Sequence, residues 1–473
     1  MIRLRPSGVD EILIKRVRDW YEPGPGVFFT GVTGTASFSP AMLFTGSTTG
    51  VWYDPSDMTT LFQDAAGTTP VTAVEQPVGR MLDRSGRGNH AFNSSGNSAN
   101  FPVLSARYNL LTKTEQFDDA VWPTYSATTV SNQTTAPNGT DTADAIFETS
   151  ATGSHGTYYA LSSLIAGVLY KASFYIKPNG RTWILVNLYA GGVSNADYGL
   201  YFNLSGSGST GSRFGSQGSV VGSISAAENG FYLVSITTSA VATGSSPNIS
   251  ISTATGDTVN SFPGDPAKGI YIWGADLRVA NDALNQPAYQ RVNTSSDYDT
   301  VGFKQGEVFD GINDYLTASA GGGSTASFFW CSAIRVGKVG AAQTLFSDAG
   351  TNTGYRVRIN ASNQLELSAG NGTAYTTVAT TATLSIGQRA VLTTWHDGTS
   401  LNVQINNGTV HQAAFSTATA GTAQFTIGKD NNAASNFFAG WLYEKVYTKD
   451  NVPSSAQIAD TKAYVANIAG ITL

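Results

Sequence analysis

Trp183, Asn187 and Tyr189 are spaced by even numbers in the run Thr182-Trp183-Ile184-Leu185-Val186-Asn187-Leu188-Tyr189. In an unbroken strand their side chains share one face. Aromatic rings flanked by an amide are the residue types that recognise sugars, because rings stack on pyranose faces and amides hydrogen-bond hydroxyls. Lys177 lies nearby in sequence. The same rings can equally fill a sandwich core, and the sequence alone does not choose the face. A second constellation is Asp310, Asn313 and Asp314 around Gly311, with Asp54, Ser56 and Asp57 forming a third. These oxygen-rich turns suit calcium, or each Asp caps its own turn through backbone hydrogen bonds.

Catalytic patterns are sparse. Of the four histidines, His90, His155, His396 and His411, no two show the i, i+4 spacing of a helical zinc site. His396, before Asp397-Gly398, reads as a hydrogen-bonded loop residue. No Gly-x-Ser-x-Gly elbow occurs. Glycoside hydrolysis needs two carboxylates facing each other across the sugar. Glu366 stands alone in its strand and Glu444 is followed by Lys445, so a catalytic pair would have to come from separate strands.

The elements that position these residues are strands. Charged residues make up only 13% of the chain, aromatics 11%, and the polar balance is Gly, Ser, Thr and Asn, which favours an all-β protein. An apolar content of 41% over 473 residues is enough for two or three cores. The net charge of −6 gives no basic footprint for nucleic acid or anionic membranes. No run approaches the roughly 18 apolar residues of a membrane span. The single Cys331 lies in the apolar run Phe328-Phe329-Trp330-Cys331 and reads as a buried thiol, so stability must come from core size or from oligomerisation. Met1-Ile2-Arg3-Leu4-Arg5 is charged but leads into no apolar h-region, so a secretory signal is not expected.

Residues 1–35 differ from the rest. Ser7 is a plausible N-cap, Val9, Ile12, Leu13 and Val17 recur at helical spacing, and Pro23-Gly24-Pro25-Gly26 would stop that helix. The segment reads either as a docking arm or as a strap on its own β-domain. From about residue 40 a β-pattern begins, including a strand-like Gln76–Asp83 that ends in the turn-dense loop Asp83–Ala91. Phe101-Pro102-Val103-Leu104 looks like the start of a buried strand whose sequel is Gly306–Leu316, far along the chain. Residues near 104 and 306 are therefore expected to lie side by side. Between them, long strands such as Val168–Pro178, Thr182–Tyr189 and Gly269–Leu277 read as a domain of their own, with Ser205–Ser219 as exposed Gly/Ser-rich turns. Pro453–Ile468 reads as the one convincing helix after the arm.

Trp52–Asp57, the Asp-x-Ser-Gly-x-Gly-Asn-His-Ala loop, Phe309–Leu316 and Trp395-His396-Asp397-Gly398 resemble the concanavalin A-like, or laminin-G-like, jelly rolls, in particular those carried on bacteriophage structural proteins. Asn109-Leu110-Leu111, the Tyr170–Lys177 strand and the closing Ile270–Leu277 strand resemble a carbohydrate-binding-module β-sandwich. The resemblances imply a jelly roll over 36–107 and 299–473, interrupted by a second β-sandwich over 108–298, with an N-terminal arm over 1–35 and a C-terminal helix. They also imply a non-catalytic, homo-oligomeric virion protein: a tail fibre, spike or capsid decoration that docks to other virion proteins through its arm. Its ligand would be a host-surface glycan, held by Trp183, Asn187 and Tyr189, with calcium at Asp310, Asn313 and Asp314 as a possible ion. A polysaccharide depolymerase and a purely structural decoration protein are the competing readings.

Overall fold

A computed structural model describes residues 38–191, 197–215, 219–242, 244–283, 286–318, 327–422, 424–431 and 435–473. The arm expected over 1–35 lies outside the described residues. Among the described residues the chain is all-β with one α-helix, Ser455–Ala469.

Two sheets are built only from strands before residue 106 and after residue 305. One, of eight strands, runs His411–Ala414, Ser400–Ile405, Arg389–His396, Phe328–Val336, Ala439–Lys449, Gly306–Asp310, Val103–Ser105, and Thr49–Tyr53 pairs with the far end of Ala439–Lys449. The other, of nine strands, runs from Leu61–Phe62 through Arg80–Met81, Ala91–Phe92, Leu316–Ala318, Phe425–Ile427, Gln343–Ser347, Tyr355–Ile359 and Gln364–Gly370 to Tyr375–Thr383. Both contribute to a single apolar core that includes Val51, Leu104, Phe309, Phe328, Phe346, Val357, Leu367 and Tyr447. Ser105, Leu104 and Val103 are the Cα partners of Gly306, Glu307 and Val308. The strand that stops at Ser105 is thus completed by the strand that starts at Gly306.

The intervening strands form two six-stranded sheets. The first runs Ser209–Phe214, Asp197–Asn203, Trp183–Tyr189, Asn248–Ala254, Gly156–Ala160, Thr124–Tyr125. The second runs Val220–Ala226, Tyr232–Thr238, Tyr170–Asn179, Gly269–Val279, Ala143–Glu148, Ala127–Thr134. Their shared core takes Ile184, Val186 and Leu188 from one side and Phe174, Ile176, Ile272 and Leu277 from the other.

The Gly/Ser-rich segment expected to be turns contains the strand Ser209–Phe214. It lies at the sheet edge with one paired neighbour, and its side chains are mostly exposed, so it needs little apolar content. Conversely, of the strand expected over Gln76–Asp83 only Arg80–Met81 is paired as one; Gln76 spends its side chain on the Thr72 backbone N–H at 2.8 Å, closing a turn. The C-terminal helix starts at a capping box in which Ser454 and Gln457 satisfy each other's backbone N–H groups, and it ends at Gly470 with φ 65°.

Residues 39–473 form one compact unit, and buried side-chain hydrogen bonds cross the junction between the two sandwiches. Gln290, fully buried, accepts the backbone N–H groups of Tyr108 and Asn109 and donates to the carbonyls of Ala106 and Asp299. Asn109 in turn donates to the carbonyls of Ala275 and Gln290 and accepts from the N–H groups of Leu111 and Leu277. Arg335 of the outer sheet meets the carboxylate of Asp282, with Nε at 2.6 Å, and lies over the ring of Trp441.

Candidate functional site

The alternation of the Trp183–Tyr189 strand resolves the choice of face. Ile184, Val186 and Leu188 enter the sandwich core, so Trp183, Leu185, Asn187 and Tyr189 look outward. The neighbouring strands add residues in register. Asn187 is opposite Ser250, which is opposite Tyr158; Tyr189 is opposite Asn248 on one side and Asp197 on the other. Leu185 is opposite Ser252, then Gly156, then Tyr125.

The central strand therefore presents Asn248, Ser250, Ser252 and Ala254, all short, between taller side chains on either side. Tyr189, Asn187 and Trp183 form one wall, and Tyr158 with Tyr125 forms the other; their rings lie 6.4 Å apart. Gly156 keeps the second wall close. A Cβ there would lie 2.1 Å from the Ile251 carbonyl oxygen and 2.9 Å from the Tyr125 hydroxyl, so no larger residue fits. Burial pushes the Tyr125 phenol up to about 12, and its hydroxyl donates to the Ile251 carbonyl at 3.5 Å.

The walls differ in how open they are. Tyr189, Tyr158 and Tyr125 are half-buried. Trp183 belongs to a satellite cluster on this face with Leu185, Tyr201, Ala254 and Phe214, and the Tyr201 and Phe214 rings meet edge to face at 6.3 Å. Its indole thus packs sideways at one end of the trough. Lys177 is not part of this arrangement: it lies in the other sheet, over the rings of Phe231 and Tyr271.

Asn187 is the unusual member. It is buried, with 7% of its surface exposed, and its Nδ2 donates to Asp197 Oδ1 at 2.7 Å. That carboxylate fixes the amide orientation, since the reverse would set two acceptors against each other. The other end, Oδ1, is then buried with no hydrogen-bond partner among the described residues. Oδ1 faces the Asp197–Asn203 strand, where a Cβ added to Gly199 would stand 3.0 Å from it.

The turn after Phe309 is capped from within. Asp310 Oδ1 accepts the N–H groups of Ile312 at 2.8 Å and Asn313 at 3.1 Å, and Asp314 Oδ2 accepts that of Asp310 at 2.9 Å. Burial, with the neighbouring Asp310 charge, pushes the Asp314 carboxyl up to about 7. Asp54 is tied to Arg84, and Asp57 caps the turn before Thr59. Among the described residues no three His, Cys, Asp or Glu side chains converge as a metal cluster.

The carboxylates considered for catalysis are also engaged. Glu366 pairs with Arg358 on the nine-stranded sheet. Glu444 is fully buried; it accepts the Trp52 indole N–H, and Trp52 meets Tyr464 of the C-terminal helix edge-on at 6.3 Å. Burial first, and then the Asp54 charge, push the Glu444 carboxyl up to about 9. His396 bridges the Tyr355 hydroxyl at 2.8 Å and the Phe415 carbonyl at 3.0 Å inside the core, and desolvation lowers its pKa. Sequence reasoning placed His396 in a loop; it is the last residue of the strand Arg389–His396. Cys331 is buried as expected, and its thiol is pushed up to about 12.

Tyr125, Tyr158, Ser250 and Asn248 were missed from sequence. Their strands are far from Trp183–Tyr189 in the chain, and only the sheet order brings them together.

No family model matches the chain, and no curated protein matches it. Solved structures with some likeness include the LG4-5 domains of the mouse laminin alpha1 chain, at 11% identity and a TM-score of 0.27, covering 63% of this chain and 86% of that one. A carbohydrate-binding module of the Ruminococcus gnavus IT-sialidase, solved with alpha2,3 sialyllactose, is 11% identical with a TM-score of 0.26, covering 29% of this chain and 83% of that one. Domain 4 of an extracellular arabinanase from Geobacillus stearothermophilus, solved with arabinotriose, is 16% identical with a TM-score of 0.25, covering 35% and 76%.

Proposed function

We propose that the chain is a non-catalytic glycan-binding protein whose ligand lies in the trough over Asn248, Ser250 and Ser252. Tyr189 and Tyr158 supply apolar ring faces for a sugar, and the amide of Asn187 with Asn248 and Ser250 supplies hydroxyl partners. The single observation that carries this reading is the outward face on which half-buried Tyr189 and Tyr158 stand in register on either side of Asn248 and Ser250. Glycan-array screening of the intact chain, followed by calorimetry on the hits, tests it. Binding that falls when Asn187 or Tyr189 is replaced supports the trough; an array without hits contradicts it.

The wider setting we propose is a virus particle, with residues 1–35 as the docking arm, other virion proteins as its partners and a homo-oligomer as the working form. This part rests on the sequence resemblance to phage-borne jelly rolls. Cryo-electron microscopy of the source particle tests it, and an arm that contacts no other virion protein would contradict it. Calcium at Asp310, Asn313 and Asp314 stands in the same position: the oxygen ligands are adjacent in the turn, and a calcium titration decides.

A further inference from the structure

The loop Asp83–Ala91 is held far more tightly than a connecting turn requires. The Asp83 carboxylate accepts the backbone N–H groups of Trp52 at 3.0 Å, Ser85 at 2.9 Å and Asn89 at 3.0 Å, and the Ser85 hydroxyl at 2.7 Å. Arg87 donates to the Gly46 carbonyl at 2.9 Å and Asn89 Nδ2 to that of Gly50 at 2.9 Å. This network fixes His90 at the start of the strand Ala91–Phe92 of the nine-stranded sheet.

Three groups converge there. Met81 and Ala91 are buried in the core, so Arg80 and its Cα partner Phe92 point outward. His90 Nδ1 accepts the Asp83 backbone N–H at 3.0 Å, which leaves the ring proton on Nε2 as a donor. Arg80 Nη1 donates to the Ala66 carbonyl at 3.0 Å, and no carboxylate forms an ion pair with Arg80 among the described residues. Together with Ala65 and Gly88 these side chains line an open pocket of about 210 Å³. Gly88, at φ 74°, has no atom within 4 Å of where its Cβ would stand, so the loop leaves the pocket clear.

We propose that this pocket binds a carboxylate-bearing sugar. The planar guanidinium fork of Arg80 matches a carboxylate bidentately, the His90 Nε2–H adds a further donor, and the Phe92 ring offers an apolar face to pyranose C–H groups. The pocket is open to solvent and has room for a sugar ring beside Arg80, His90 and Phe92. The site lies on the jelly roll, and the proposal does not depend on the trough of the inserted sandwich.

The test titrates the intact chain with the methyl glycosides of glucuronic, galacturonic and N-acetylneuraminic acid, each beside its uncharged methyl ester, by ligand-observed NMR and calorimetry. At least one acid is expected to bind about tenfold or more tightly than its ester, the size of a lost charge-assisted hydrogen bond. Arg80→Ala should lose about the same factor, and Arg80→Lys, which keeps charge and stem but not the fork, should fall between. His90→Asn keeps an acceptor for the Asp83 N–H but draws the donor back from the Nε2 position by about the depth of the ring, and should weaken binding several-fold. Tyr189→Ala, in the trough, should leave acid binding unchanged. Equal binding of acids and esters, no binding of any acid, or full affinity in both Arg80 variants would overturn the proposal.

Discussion

Asn109 and Gln290 hold each other reciprocally. Gln290 Oε1 accepts the Asn109 backbone N–H at 3.0 Å, and Asn109 Nδ2 donates to the Gln290 carbonyl at 2.9 Å. One residue stands where the chain enters the inserted sandwich and the other where it leaves. The reciprocal pair thus closes the neck of the insertion, and Gln290 also reaches Ala106 and Asp299 on the jelly-roll side.

Gln290→Ala would leave the N–H groups of Tyr108 and Asn109 buried without acceptors. Each such orphan costs about 1–3 kcal/mol, so a loss of several kcal/mol is expected by denaturant unfolding. The two sandwiches have separate cores, so the variant should unfold in two resolved calorimetric steps where the parent shows stronger coupling. Residues 108–298 expressed alone should melt cooperatively; a chain without a cooperative transition would contradict the insertion of a self-folding module.

Glu444 makes stability depend on pH in a defined direction. Its carboxyl is at about 9 in the folded state against an ordinary 4.5, so between these values the folded protein holds a proton that the unfolded chain has released. Stability is then fully present below the unfolded value and is lost as pH rises toward 9. Asp314 acts the same way only up to about 7, so the window between 7 and 9 reports on Glu444. Glu444→Gln keeps an acceptor for the Trp52 indole and should flatten the fall in Tm across that window. An unchanged slope would place the buried proton elsewhere.

The Asp310 turn separates capping from metal binding. With Asp310 Oδ1 engaged by backbone N–H groups, Asp310→Ala should cost about 1 kcal/mol by loss of the cap. A capping role alone leaves Tm unmoved by millimolar calcium or by chelator. A rise in Tm with calcium that vanishes in Asp310→Ala would assign the ion to this turn.

Many of the strands were legible because long apolar runs with β-branched residues announce themselves, as in Phe328–Val336 and Gly269–Val279. The pairing of Ser105 with Gly306 was legible because both segments carry jelly-roll motifs that are incomplete alone. The C-terminal helix, expected over Pro453–Ile468 and observed over Ser455–Ala469, was legible from its apolar spacing. The failures have a common cause. Ser209–Phe214 lacks an apolar pattern because an edge strand exposes both faces, and Gln76 turns the chain through a side-chain hydrogen bond that composition does not reveal. The outward face of Trp183–Tyr189 was undecidable, since both parities of that strand carry large apolar side chains. Even the clasp function of Asn109 was hidden, because its partners are distant backbone groups at Ala275, Leu277 and Gln290.

The most direct test of the account is calorimetric titration of the intact chain with its best glycan-array ligand, set beside Asn187→Ala and Tyr189→Ala. Loss of the Asn187 amide or of the Tyr189 ring face should each weaken binding about tenfold or more, while Tm stays close to that of the parent. A parent that binds no glycan, or variants that bind as the parent does, would contradict a glycan site in the trough.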